Sequence, residues 1–86
     1  MLFIMFEMLN IKCANNIVTF TCIAHVYEDY HPEIDIQFDL QNDLFLNDMS
    51  SVEGELEDCV FKGISYIRSL IKQNKNIPLN YKFIWY

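Results

Sequence analysis

Between Lys12 and Lys62 the chain contains no lysine or arginine at all, although eleven of its twelve acidic residues fall in that stretch. Glycine and proline occur only twice each, and no run rich in Ser, Gln or Pro interrupts the 86 residues. That composition excludes a low-complexity tail or linker and leaves a single domain, residues 1–86, without internal repeats. Cysteine is scarce and odd in number: Cys13, Cys22 and Cys59 form no close pair. An even disulfide framework and a short Cys-x-x-Cys zinc spacing are both missing. The expectation is therefore reduced cysteines buried as small hydrophobes in a cytoplasmic protein. The longest apolar opening, "MLFIMF", has no basic residue before it, is broken by Glu7, and leads to no small-residue cleavage site. It reads as the beginning of a strand, with Met5 or Met8 as alternative starts, and not as a signal peptide or membrane span.

What is present is apolar and aromatic, 52% and 15% of the residues. "IMFEMLNIKC" and "IVTFTCIAHVY" are rich in β-branched and aromatic residues and flank Asn15-Asn16, a pair that tolerates positive φ, so they predict a β-hairpin. In the first of these segments Glu7 falls on odd positions while Asn10 and Lys12 fall on even ones. A bulge near residue 8, or a segment covered on both faces, would resolve the conflict. After "EDYHPE", a third strand alternates strictly: Ile34, Ile36, Phe38 and Leu40 occupy one face, and Glu33, Asp35, Gln37 and Asp39 the other, about 7 Å apart along the strand.

"NDLFLND" reads as a loop. Ser50 with Glu53 has the form of a capping box, and Glu53, Glu55, Glu57 and Asp58 precede Arg68, Lys72 and Lys75 in the order that favours a helix dipole. Leu56, Cys59, Val60, Gly63, Ile67, Leu70 and Ile71 form the apolar stripe of this helix, and Gly63 in its middle predicts a close approach to the sheet. The helix is expected to end near Asn74 to Asn76, before Pro78. A final strand, "NYKFIWY", places Tyr81, Phe83 and Trp85 on one face. The fold class is α+β: a three-stranded antiparallel meander, one long helix packed on the sheet, then a C-terminal strand. In this β-β-β-α-β order the last strand is expected parallel to the first, with strand order 3-2-1-4 and the acidic strand at an edge.

Catalytic chemistry finds no motif. There is no Gly-rich phosphate loop, no nucleophile elbow and no Cys-His or Ser-His spacing, so the chain is read as a non-enzyme without cofactor. His25 and His31 are the only imidazoles, and the turn holding Glu28, Asp29, His31 and Glu33 resembles a solvated loop more than a metal site. The net charge of −6 disfavours nucleic acid as a direct partner. Charges on an edge strand and acids at a helix start also have purely structural uses. Beyond those, a concentrated negative field steers a cationic protein into contact. The candidate partner-binding residues are Glu28, Asp29, Glu33, Asp35, Asp39 and Asp43; no metal ligand is assigned.

The meander "IVTFTCIAHVYEDYHPEIDIQFDL", the helix "SSVEGELEDCVFKGISYIRSLIK" and the abrupt ending "KFIWY" resemble the small immunity proteins of bacterial contact-dependent growth inhibition. The resemblance implies neutralisation of a cognate toxin domain, often a basic nuclease, by covering its active site. It carries over no residue roles, and the six acids above come from the charge map alone. Two other classes share the physics or the composition: a phage-type inhibitor such as an anti-CRISPR or nucleic-acid mimic, and a structural subunit whose sheet edges pair in a homodimer.

Overall fold

Asn15 and Asn16 both adopt positive φ, 54° and 65°, the pair of left-handed residues that a two-residue hairpin turn requires. They join β1 (Ile4–Ala14) to β2 (Ile17–His25) with Ala14 opposite Ile17. The computed structural model describes residues 4–26 and 28–85, and within that range the order continues with β3 (Glu33–Asp39), β4 (Leu44–Phe45), α1 (Gly54–Lys72) and β5 (Tyr81–Trp85). The side chain of Trp85 and the extension of the second strand to Tyr27 lie outside the described residues.

The phase conflict in the first strand is resolved as expected, by a bulge slightly further along. The β1–β2 register shifts between Leu9 and Lys12, with Asn10 at φ 55°. Its backbone N–H donates to Asn80 Oδ1 at 3.1 Å, and Ile11 N–H donates to the Leu79 carbonyl at 2.7 Å. Phe6, Met8 and Ile11 can therefore all point inward while Glu7 and Lys12 point out.

All five strands form one antiparallel sheet in the order β4-β3-β2-β1-β5. The succession of β3, β2, β1 and the C-terminal strand matches expectation, but two details are corrected. The last strand runs antiparallel to β1, not parallel, and the acidic strand β3 is flanked by β4 instead of lying at the edge. Both corrections have one cause. The segment read as a loop turns back along β3: Leu44 and Phe45 pair with Asp39 and Phe38, Leu46 N–H donates to the Gln37 carbonyl, and Gln37 N–H donates to Asn47 Oδ1. This extra descending pass reverses the direction in which the helix starts, and so the direction in which β5 returns.

The capping box does not form. Glu53 is the N-cap in extended conformation without a side-chain bond, and Ser50 N–H instead meets Asp48 Oδ1 at 2.9 Å. A turn closed by Val52 N–H to the Met49 carbonyl buries Val52, which delays the helix until Gly54 at φ 60°. The other end is a Schellman motif. Asn74 at φ 58° takes the left-handed position, Lys75 N–H reaches the Leu70 carbonyl, and Asn74 N–H the Ile71 carbonyl.

The helix covers one face of the sheet. Leu56, Cys59, Val60, Gly63, Ile64 and Ile67 are buried against Phe6, Met8, Val18, Phe20, Cys22, Ala24, Ile36 and Phe38. Ile64 joins the expected stripe, whereas Ile71 is 46% exposed and Leu70 only half-buried. A Cβ on Gly63 would lie 3.1 Å from Met8 Cε and 3.5 Å from Phe20, the close approach expected of that position. Tyr66 stacks on Tyr81 at 3.7 Å between ring centroids, and Phe6 meets Phe83 edge-on at 5.0 Å, which docks β5 into the same core. Contrary to expectation, Cys22 and Cys59 form a disulfide between sheet and helix, and Cys13 is an exposed free cysteine. The two partners are 37 residues apart and meet only through tertiary packing, so no local spacing announces them.

Candidate functional site: the uncovered face of the sheet

One helix cannot cover both faces of a five-stranded sheet, so the odd-numbered side chains of β2 and β3 look outward. Thr21 stands opposite Asp35, Thr19 opposite Gln37, and Ile23 opposite Glu33, while Leu9 and Lys12 of β1 continue the rows through Thr21 and Thr19. Thr21 donates its hydroxyl to Asp35 Oδ1 at 2.6 Å, a cross-strand bond that fixes the carboxylate on this face. The surface is mixed: Leu9, Ile17 and Ile23 are half-buried beside exposed Glu33, Asp35 and Gln37. A shallow depression bounded by Asn10, Lys12, Thr19, Thr21, Asp35 and Gln37 lies in its middle.

The six acids singled out from the sequence do not form one ladder. Glu33 and Asp35 stand together on the outward face of β3, and Glu28 and Asp29 occupy the exposed turn that leads into Glu33. Asp39 closes the turn after β3: Oδ1 accepts from Gln41 N–H at 2.9 Å and Asn42 N–H at 3.1 Å, and Oδ2 from Asn42 Nδ2 at 2.8 Å. The Asn42 side-chain bond, and with it the backbone bonds, holds the Asp39 carboxyl below the usual carboxylate value. Asp43, at φ 56°, accepts from Arg68 at 2.8 Å. Arg68 also lies 5.6 Å from the Phe38 ring centre, so this pair ties the helix to the turn. Four carboxylates are thus presented outward and two are engaged in holding the β3–β4 turn.

A cluster that the sequence did not assemble lies at the other end of the same face. Glu7 of β1 accepts from His25 Nε2 of β2 at 2.8 Å. His25 Nδ1 is 3.0 Å from His31 Nδ1, and His31 Nε2 donates to the Glu28 carbonyl at 2.9 Å. The alternation that puts Glu7 and His25 on the outward face was legible. The turn that folds His31 back over His25 was not, because it depends on the Val26 N–H to Tyr30 carbonyl and Ala24 N–H to Pro32 carbonyl bonds.

Among the described residues no group of three or more His, Cys, Asp or Glu side chains is placed to hold a metal ion, and no helix is long and apolar enough to cross a membrane. Comparison with protein-family models, with curated proteins and with solved structures finds no match.

Proposed function

We propose that this chain is a small acidic binding protein that neutralises a cognate toxin domain, one with a basic surface such as a nuclease, by covering its active site. The observation that carries this reading is the uncovered sheet face, where exposed Glu33 stands opposite half-buried Ile23 and exposed Asp35 opposite Thr21, with half-buried Leu9 on the next strand beyond Thr21. The face combines half-buried apolar side chains with carboxylates, Lys12 being the exposed base among them, and such a mixture suits a protein interface: the apolar part supplies burial, and the carboxylates supply partner choice and association rate. Glu28 and Asp29 extend the same negative rim from the adjoining turn. On this reading the chain acts where a delivered toxin domain would meet its substrate, and needs neither cofactor nor chemistry of its own.

The experiment is co-expression with the product of the gene immediately upstream, whose C-terminal domain this reading expects to be toxic. Growth rescue together with a pull-down of a one-to-one complex is the expected result. Loss of rescue on Glu33→Lys with Asp35→Lys, in a variant that still melts cooperatively, ties the effect to this face. Rescue that is indifferent to both substitutions assigns the interaction elsewhere.

A further inference from the structure

The sheet ends in β4 on one side and β5 on the other, and only β5 is long enough to template a further strand. β4 spans two residues, whereas β5 presents Tyr81–Trp85, and no described segment pairs with its outer side. Soluble proteins guard such an edge with proline, a bulge, inward-pointing charge or a covering loop. β5 contains no proline, and the bulge of β1 lies beyond Met8, the residue opposite Tyr81. Its inward side chains, Tyr81 and Phe83, pack against the core. Lys82 is the one charge on the strand, and on the same outward face Ile84 is 52% exposed.

A second copy of the same edge fits it. Phe83 is the middle residue of β5, so antiparallel pairing about a two-fold axis at Phe83 is the register that matches the whole strand with itself. That register sets Lys82 opposite Ile84 of the second copy, and Ile84 opposite its Lys82. No lysine then faces its own image, and each lysine stem lies over an isoleucine that was exposed. Pairing centred on Lys82 would instead oppose two ammonium groups and shorten the match.

The placement of the acids points the same way. The strand order puts β5 three positions from β3, the strand carrying Glu33 and Asp35. In the paired assembly β3 would lie seven strand spacings from β3 of the second copy, about 34 Å at about 4.8 Å each. Exposed charges are largely screened beyond about 10 Å at 0.1 M ionic strength, so the two β3 faces hardly repel. On the helix side, a groove along this edge is lined by Lys62, Tyr66, Ser69, Tyr81 and Phe83, with no acid.

We propose that β5 pairs with β5 of a second copy and joins two five-stranded sheets into one of ten strands. A two-fold axis perpendicular to the sheet keeps both helices on one side and leaves both acidic outward faces uncovered. The assembly stands independently of the toxin reading.

The test is sedimentation velocity on protein carrying Cys13→Ser, without reductant, which keeps the Cys22–Cys59 bridge and removes the exposed thiol as a cross-link. A single strand pair is a small interface, so a monomer–dimer equilibrium with a dissociation constant of about 10–100 µM is expected over a series from about 5 to 500 µM. Ile84→Lys sets a lysine against Lys82 of the second copy and should weaken dimerisation by about tenfold or more, whereas Ile84→Glu sets a carboxylate there and should change it by less than about threefold. Ile84 is more than half exposed, and thermal melts check that both variants remain folded. Amide exchange should slow along β5 as concentration rises. The proposal is overturned if the protein stays monomeric at the highest concentration, which leaves the edge to an extended segment of another protein. It is equally overturned if Ile84→Lys and Ile84→Glu shift the equilibrium alike, which assigns the dimer to another surface.

Discussion

The disulfide from Cys22 to Cys59 joins the central strand to the helix and closes a loop across 37 positions. In the chain-entropy account a closure of that length stabilises the fold by up to about 4 kcal/mol. Denaturation and alkylation without reductant should therefore label Cys13 alone. Dithiothreitol should lower the melting temperature by roughly 10 °C or more, since 1 kcal/mol moves a domain of this size by about 4–8 °C. Melting that ignores reductant would show that the two sulfurs contribute only as packed thiols. At the same scale, the carboxyls of Asp39 and Asp48 are both held below the ordinary aspartate value, Asp39 chiefly by the Asn42 side chain and Asp48 chiefly by the Ser50 backbone N–H. A depressed carboxylate contributes stability that is fully present above its unfolded value and is lost as pH falls through the lower folded value. Acid unfolding should accordingly draw on these two turns only below about pH 4. Asp39→Asn should make the stability curve flatter there, and an unchanged acid limb would show that the turn holds without the charge.

At the scale of elements, the helix and sheet are joined through a short run of contacts. Leu56→Ala and Ile67→Ala should each cost about 2–5 kcal/mol, because both side chains are buried under α1 and leave a cavity when truncated. Ile71→Ala should cost far less. Ile71 is 46% exposed and borders a surface depression beside Asn16, Leu40 and Gln41. Thermal melts of the three variants check this order directly. Gly63 sets the separation of the layers: alanine there presses only on the movable end of Met8, whereas leucine must displace both Met8 and Phe20 and should unfold much of the population. The strands, the asparagine hairpin, the bulge and most of the helix stripe were legible because each follows from residues adjacent in sequence. What escaped reading was decided by few residues at long range. A two-residue strand at Leu44–Phe45 is too short to show alternation, yet it reverses the sense of β5. Ser50 and Glu53 have the right spacing for a box, but burial of Val52 pulls the chain out of the helical path. The acids of the candidate face were legible as a group, and their separation into presented and internally engaged carboxylates was not, because Asn42 and Arg68 select among them.

At the scale of the molecule, the segregation of charge should govern how fast a partner arrives more than how tightly it is held. All twelve acids lie before Lys62, with Lys12 the one basic residue among them, and five basic residues lie from Lys62 onward, so the chain carries a net charge of −6 with a pronounced asymmetry. Exposed charges at an interface rim mainly alter association rates and their dependence on salt, and the field of this surface is screened within about 10 Å at 0.1 M ionic strength. Replacing Glu33 and Asp35 by lysine should slow association with a basic partner by about tenfold or more at low salt and make the slope against ionic strength shallower. Asp39 and Asp43 are unsuitable for this measurement, since their carboxylates hold the β3–β4 turn and the helix together. Lys72→Gln with Lys75→Gln, exposed at the far end of the helix, serves as the control and should leave association unchanged or slightly faster. Stopped-flow or surface-resonance rates across a salt series decide the matter. If the Glu33 and Asp35 variant associates at the rate of the unaltered protein at the lowest salt, these carboxylates serve only to keep the outward face of β3 solvated, and partner recognition must be sought on the apolar positions between them.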